Sequence, residues 1–214
     1  MANYSSYSAL VILLFVYASG HCSQLQTVNG TIDIRIGTTS GCIFVPQLMV
    51  QVEQTFAKYS KYVNFEFLPW GRTVRGANGS LICQFGEPDC WSNRVQRCAL
   101  TLLKGNQEAQ VRYMVCEFSD PFPAFRQRSL ACAHRVGLNI LAVDFCLSTS
   151  FGDSLEGPFQ ELSQEGMRVI NRIPFVYFNG YADLATYNRI VQHGLLKIIC
   201  EILRDYPKTS VTYC

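Results

Sequence analysis

The sequence predicts an α/β fold interrupted by a disulfide-rich helical insertion, and three observations carry this expectation. A strand, a helix and a second strand can be read across residues 31–71. Cysteines and helical spacing crowd the stretch 83–166. A strand and a helix return after residue 172. Apolar residues make up 49% of the 214 positions and charged residues only 16%, which suits one packed domain over 21–214 and argues against disorder. The net charge of +2, with no long basic run, argues against nucleic acid or an anionic membrane as the main partner.

Residues 1–20 read as a secretory signal peptide. "ALVILLFVYA" is its apolar core, and Ala18, Ser19 and Gly20 are the small residues near the cleavage point, although "MANYSSY" lacks a basic residue. The run falls short of the roughly 18–20 apolar residues a spanning helix needs, so no stable membrane insertion is expected. "TIDIRIG" alternates Ile32, Ile34 and Ile36 with Asp33 and Arg35, which is the period of a strand. In "PQLMVQVEQTFAKYSKY", Leu48, Met49, Val52, Phe56 and Tyr59 share one helical face, and Pro46 suits the first turn, where its missing N–H leaves no bond unmade. "VNFEFLPWG" alternates again through Val63, Phe65 and Phe67 and stops at Pro69. The three elements make a βαβ unit with parallel strands.

The insertion, about 83–166, is expected to be mostly helical. "WSNRVQRCALTLL" puts Val95, Cys98, Ala99 and Leu102 on one face. "QVRYMVCEF", "RSLACAHRVGL" and "LAVDFCLS" each hold one cysteine, and "SLEGPFQELSQEGMRVI" is a helix despite Gly157 and Pro158. Phe175–Phe178 then form a strand that ends in the turn Asn179–Gly180. One final helix is expected from Asp183, its N-cap, with Leu184, Tyr187, Ile190, Val191, Leu195 and Ile198 as a buried stripe.

Ten cysteines in a secretory chain imply disulfides. Cleavage after Gly20 leaves all ten, whereas cleavage after Cys22 leaves nine. The sequons at Asn29 and Asn78 are candidate N-glycosylation sites. No C-x-x-C occurs, and His21, His134 and His193 are scattered, so no metal site is expected. Connectivity does not follow from sequence; Cys200 with Cys214 and Cys132 with Cys146 are the pairs expected. No nucleophile elbow, Walker loop or dinucleotide fingerprint competes for the chemistry.

Cys42 stands alone in "TTSGCIFVP", where the first strand ends and the first helix begins. Helix N–H groups and the helix dipole there stabilise a thiolate, the species that attacks disulfides, while burial opposes it. The segment "CQFGEPDCWSNRVQRC" resembles the signature of the gamma-interferon-inducible lysosomal thiol reductase family. That signature runs Cys-Gln-His-Gly, two residues, Glu-Cys, two residues, Asn, four residues, Cys. Cys83, Gln84, Gly86, Cys90, Asn93 and Cys98 match it, while Phe85 replaces the His and Asp89 the Glu. "FLPWG", "YMVCEF", "RIPFVYFNG" and the C-terminal "LLKIICEILRDYPKTSVTYC" extend the resemblance over most of the chain after the signal.

The resemblance implies a thioredoxin-like fold with a helical insertion, a glycosylated chain that is secreted or lysosomal, and disulfide-containing proteins or peptides as substrates. It implies that Cys42 is the attacking cysteine. It also implies that a cis proline, here Pro174, lies against Cys42 and that the backbone of Ile173 pairs with substrate. Cys83, Cys90, Cys98, Cys116, Cys132, Cys146, Cys200 and Cys214 are left as structural disulfide cysteines. The chain departs from the family at Val45, which occupies the resolving position of C-x-x-C and has no thiol. Two functions remain open. One is a thiol–disulfide oxidoreductase working through Cys42 as a monothiol, with no bound cofactor and an external thiol such as glutathione or cysteine. The other is a catalytically degenerate secreted binding protein that keeps the groove. An unrelated disulfide-rich protein would lack a proline strand facing Cys42.

Overall fold

In the computed structural model, which describes residues 30–206 and 208–214, the alternating isoleucines form β1 (Ile32–Thr38). Ile32, Ile34 and Ile36 are fully buried and Asp33 is exposed. The signal segment, Cys22 and Asn29 lie outside the described residues. α1 (Val45–Tyr59) carries Pro46 in its first turn and buries Leu48, Met49, Val52 and Tyr59, the face that helical spacing predicts. β2 (Val63–Pro69) returns parallel to β1, in register from Ile32 opposite Val63 to Thr38 opposite Pro69. The expected βαβ unit is therefore present.

Along the other edge of β1 runs β5 (Phe175–Phe178), antiparallel, so the sheet order is β2-β1-β5. All four β5 residues are buried. The Phe175 ring explains two glycines. A Cβ on Gly37, its cross-strand partner, would lie 2.0 Å from the ring, and one on Gly166 would lie 2.5 Å from it. Only glycine lets strand and helix approach the ring this closely.

The segment between β2 and β5 begins with a small hairpin, β3 (Val74–Arg75) and β4 (Leu81–Ile82). Seven helices follow: α2 (Glu87–Leu102), α3 (Gln107–Glu117), α4 (Pro123–Gln127), α5 (Ala131–Arg135), α6 (Ile140–Ser148), α7 (Ser150–Ser154) and α8 (Glu156–Val169). Pro158 is tolerated because α8 starts at Glu156, which places the proline in the first turn. Disulfides staple this region: Cys83–Cys90 ties β4 to the start of α2, Cys98–Cys146 joins α2 to α6, and Cys116–Cys132 joins α3 to α5. The expected Cys132–Cys146 pair does not form. Cys146 faces α2 and Cys132 faces α3, so each meets a cysteine earlier in the chain. Cys200–Cys214 forms as expected and secures the tail. The four disulfides fit an oxidising compartment.

The last helix is two helices. α9 (Leu184–His193) ends and α10 (Leu195–Arg204) begins at Gly194, whose φ of 86° is left-handed and breaks the ladder. Asp183 caps α9 as predicted, accepting from the amides of Ala185 and Thr186, and Gln51 of α1 accepts from the Leu195 amide at the start of α10. The break turns the α9 face, so Tyr187 and Ile190 stay buried while Leu184 and Val191 are exposed, against the single stripe expected. Among the described residues, no helix is long and apolar enough to cross a membrane.

Candidate active site

The loop Thr39–Phe44 joins the end of β1 to the start of α1. It is tightened by two backbone bonds, Cys42 N–H to the Thr39 carbonyl at 3.1 Å and Val45 N–H to the Cys42 carbonyl at 3.3 Å. Cys42 is the free cysteine among the described residues. Its thiol points across the sheet end to the turn before β5, donating to the Ile173 carbonyl at 3.6 Å. The Ile173–Pro174 peptide is cis, and the Tyr187 hydroxyl of α9 donates to the Pro174 carbonyl at 3.1 Å. The fold thus unites Cys42, Ile173 and Pro174, which the sequence separates by 131 residues or more.

Val45 is fully buried among the core residues of α1 and β1. The position three residues after Cys42 is therefore occupied by a packed aliphatic side chain.

The thiol opens onto a groove of about 760 Å³ between the Cys42 loop, the proline turn and α9. Ile43 and Phe44 stand at its mouth, 72% and 65% exposed, with Val191 and Phe85 on the facing walls and Arg72 and Arg172 beside the turn. This is an apolar rim around a recessed sulfur, since Cys42 itself is only 5% exposed.

That recess weighs on the two effects that the sequence leaves opposed at Cys42, the helix start and burial. Burial, the largest effect, pushes the Cys42 thiol up from its ordinary value. The amides of Phe44 and Val45 pull it down without cancelling burial, and the Asp89 carboxylate adds to the rise.

The signature segment forms the floor beneath this loop. Asp89 and Asn93 lie four residues apart on α2 and so share one face, and both are fully buried. Asp89 accepts from the Thr39 hydroxyl at 2.8 and 2.7 Å, from the Gly41 amide at 3.1 Å and from the Phe85 amide at 3.3 Å. Asn93 accepts from the Ser40 amide at 3.0 Å and hydroxyl at 2.8 Å, and its amide donates to the Thr39 oxygen at 3.1 Å. The Phe85 ring closes on Gly41, where a Cβ would lie 2.6 Å from it. The sequence marks Asp89 and Asn93 as positions of the signature without assigning either a role. The available signal was an acid and an amide at i, i+4 inside an otherwise buried helix face. Asn78 lies exposed in the turn between β3 and β4, its Oδ1 accepting from Ser80. Among the described residues, no group of three or more His, Cys, Asp or Glu is placed to hold a metal ion.

A free thiol at a strand-to-helix junction, facing a cis-proline turn on an antiparallel neighbour strand, defines a thioredoxin-like thiol protein. Residues 33–136 match the model of the family described as gamma interferon inducible lysosomal thiol reductase (GILT), which supports the membership that the signature segment suggests. No curated protein matches the chain. Among solved structures, the thiol-disulfide exchange protein alpha-DsbA2 from Wolbachia pipientis is similar at 12% identity and a TM-score of 0.49, over 87% of this chain and 98% of that one. A thioredoxin-like oxidoreductase from Silicibacter pomeroyi DSS-3 is similar at 12% identity and a TM-score of 0.48, over 79% and 94%. ScsC from Proteus mirabilis, in a compact conformation, is similar at 14% identity and a TM-score of 0.41, over 91% and 98%.

Proposed function

We propose that this protein reduces disulfides of proteins or peptides through Cys42 alone, with a low-molecular-weight thiol completing the cycle. The observation that carries this reading is the free Cys42 thiol held against the cis Ile173–Pro174 turn at the end of an open groove. The Cys42 thiolate attacks one sulfur of a substrate disulfide, forming a mixed disulfide and releasing the other sulfur as a thiolate, which takes up a proton. In a dithiol enzyme the second cysteine would then attack from within, but Val45 offers no sulfur. An external thiol such as glutathione or cysteine attacks the mixed disulfide instead and releases the substrate thiol. A second external thiol frees Cys42 and leaves as the small-molecule disulfide. Each turnover consumes two external thiols and reduces one substrate disulfide.

The raised thiol pKa sets the pH dependence. The thiolate fraction is smallest in acid and grows as pH rises toward the elevated pKa, so exchange is faster at neutral than at acid pH. A secreted chain working near neutrality suits this better than a lysosomal one, and exposed Asn78 suits N-glycosylation in either compartment.

The test is turnover of a disulfide-bonded peptide with excess glutathione. Wild type should accelerate it and Cys42→Ser should match the buffer rate while melting normally; equal rates for the two proteins would sink the reading. One observation favours a second reading, a binding protein that keeps the groove without turnover: the thiol is recessed while apolar Ile43 and Phe44 are exposed around it. On that reading Cys42→Ser still binds the peptide and wild type shows no turnover.

A further inference from the structure

We propose that Asp89 and Asn93 are positioning residues for the Cys42 thiol: through them the stapled helical insertion holds the reactive loop at the sheet end. The inference rests on the reading of Cys42 as the reactive group.

The geometry is specific. Three consecutive residues, Thr39, Ser40 and Gly41, stand between the end of β1 and Cys42. Every one of them is tied to α2 by a hydrogen bond to the side chain of Asp89 or Asn93. Thr39 links the two, since its hydroxyl donates to Asp89 and accepts from Asn93, giving a continuous chain from Asn93 through Thr39 to Asp89. The assembly is dry: Thr39, Ser40, Asp89 and Asn93 are all at most 1% exposed. Buried polar groups are kept only when their partners are met, and here all but one, the Phe85 amide, come from the loop that carries the thiol.

Two further contacts fix the same unit. Gly71 closes on Thr39, where a Cβ would lie 2.6 Å from the threonine side chain, and Cys83–Cys90 locks the turn that delivers the Phe85 amide to Asp89. The signature therefore has two parts with separate duties. Its cysteines hold the turn and helix, and its acid and amide hold the loop.

A group serving only as fold scaffolding would leave the titration of Cys42 alone. Asp89 does not, because its carboxylate faces the thiol from α2. Tyr187 faces it from α9, and Arg72 and Arg172 line the groove beside the proline turn. Asp89→Asn removes a negative charge and leaves the others in place. Asp89→Glu keeps the charge and restores the residue type of the family signature. Ser40→Ala deletes one hydrogen bond to Asn93 without changing charge.

The experiment is the pH profile of iodoacetamide labelling of Cys42 in the full folded chain, read by peptide mass mapping so that each cysteine is scored separately. Asp89→Asn should move the midpoint to lower pH, and Asp89→Glu should keep it at the wild-type position. Ser40→Ala should slow labelling several-fold at every pH with the midpoint unmoved. A wild-type thiol that never labels in the folded protein overturns the reading of Cys42 as reactive, and this inference with it. Labelling with one midpoint in all proteins and no slowing in Ser40→Ala overturns the inference alone. If Asp89→Asn does not fold, Ser40→Ala decides: a slowed thiol supports the positioning role and an unaltered one refutes it.

Discussion

The insertion and the sheet end treat sulfur in opposite ways. Between Cys83 and Cys146, six cysteines are consumed in three disulfides that knit the helices together, one of them, α5, of only five residues. At the end of β1 one cysteine is left unpaired, facing a groove, with valine where a partner would stand. Helices this short are marginal alone and depend on tertiary contacts and cross-links. The β1–α1–β2 unit has a continuous buried face of isoleucine, phenylalanine and leucine and needs no cross-link. The contrast bears on Val45, which the proposed mechanism leaves without a resolving thiol. Val45 packs in the core of that half, so an aliphatic residue three places after Cys42 fits the architecture.

Breaking the insertion is the largest perturbation. Cys98→Ala with Cys146→Ala removes the link between α2 and α6 and should cost about 2–5 kcal/mol, read by denaturant unfolding. Cys42 labelling below the transition should be unchanged. A labelling rate that changes in the folded double variant would mean that this staple, and not only the hydrogen bonds of Asp89 and Asn93, sets the position of the Cys42 loop.

Next in size is Glu117, the buried acid at the end of α3. Burial raises its carboxyl from 4.5 to about 7, and the Ala124 amide, its hydrogen-bond donor, and the neighbouring Tyr113 hydroxyl pull it back only in part. A carboxyl whose folded pKa is raised binds its proton more tightly when folded. Its contribution is complete below about pH 4.5 and is lost as pH climbs to about 7. Glu117→Gln should therefore gain on the order of 3 kcal/mol over wild type at pH 8 and nothing at pH 4, in urea unfolding at the two pH values. A variant less stable than wild type at pH 8 would mean that the charged form is the better partner for Ala124.

The smallest expected effect lies on the sheet side. Asp183→Ala removes the cap of α9, the helix that brings Tyr187 to Pro174, and should lower stability by about 1 kcal/mol in thermal unfolding. A much larger loss would show that the sheet half leans on its terminal helices more than its packed strands suggest.

The parts legible in the sequence were those with a short-range cause. Period two in "TIDIRIG" and helical spacing from Leu48 to Tyr59 specify elements whose apolar faces had to meet. The thiol's neighbour Pro174 was legible only through family resemblance, because 131 residues of chain separate Cys42 from Ile173. What was missed depends on three-dimensional neighbours. Cysteine pairing follows which helix faces which, so Cys146 reached Cys98 and left Cys132 to Cys116. The break at Gly194 was hidden because apolar residues continue on both sides of it. The direction of the Cys42 shift was decided by burial from distant segments, which outweighed a helix start that was plain in the sequence.

The central claim is that the recessed Cys42 thiol still reaches a substrate sulfur. The most direct test incubates the folded, unreduced protein with a disulfide-bonded peptide at pH 7.5, quenches with acid and maps the adduct by mass. The account predicts one peptide joined to Cys42, released on adding glutathione and absent from Cys42→Ser. No adduct on the folded protein, or an adduct on any cysteine other than Cys42, would contradict it.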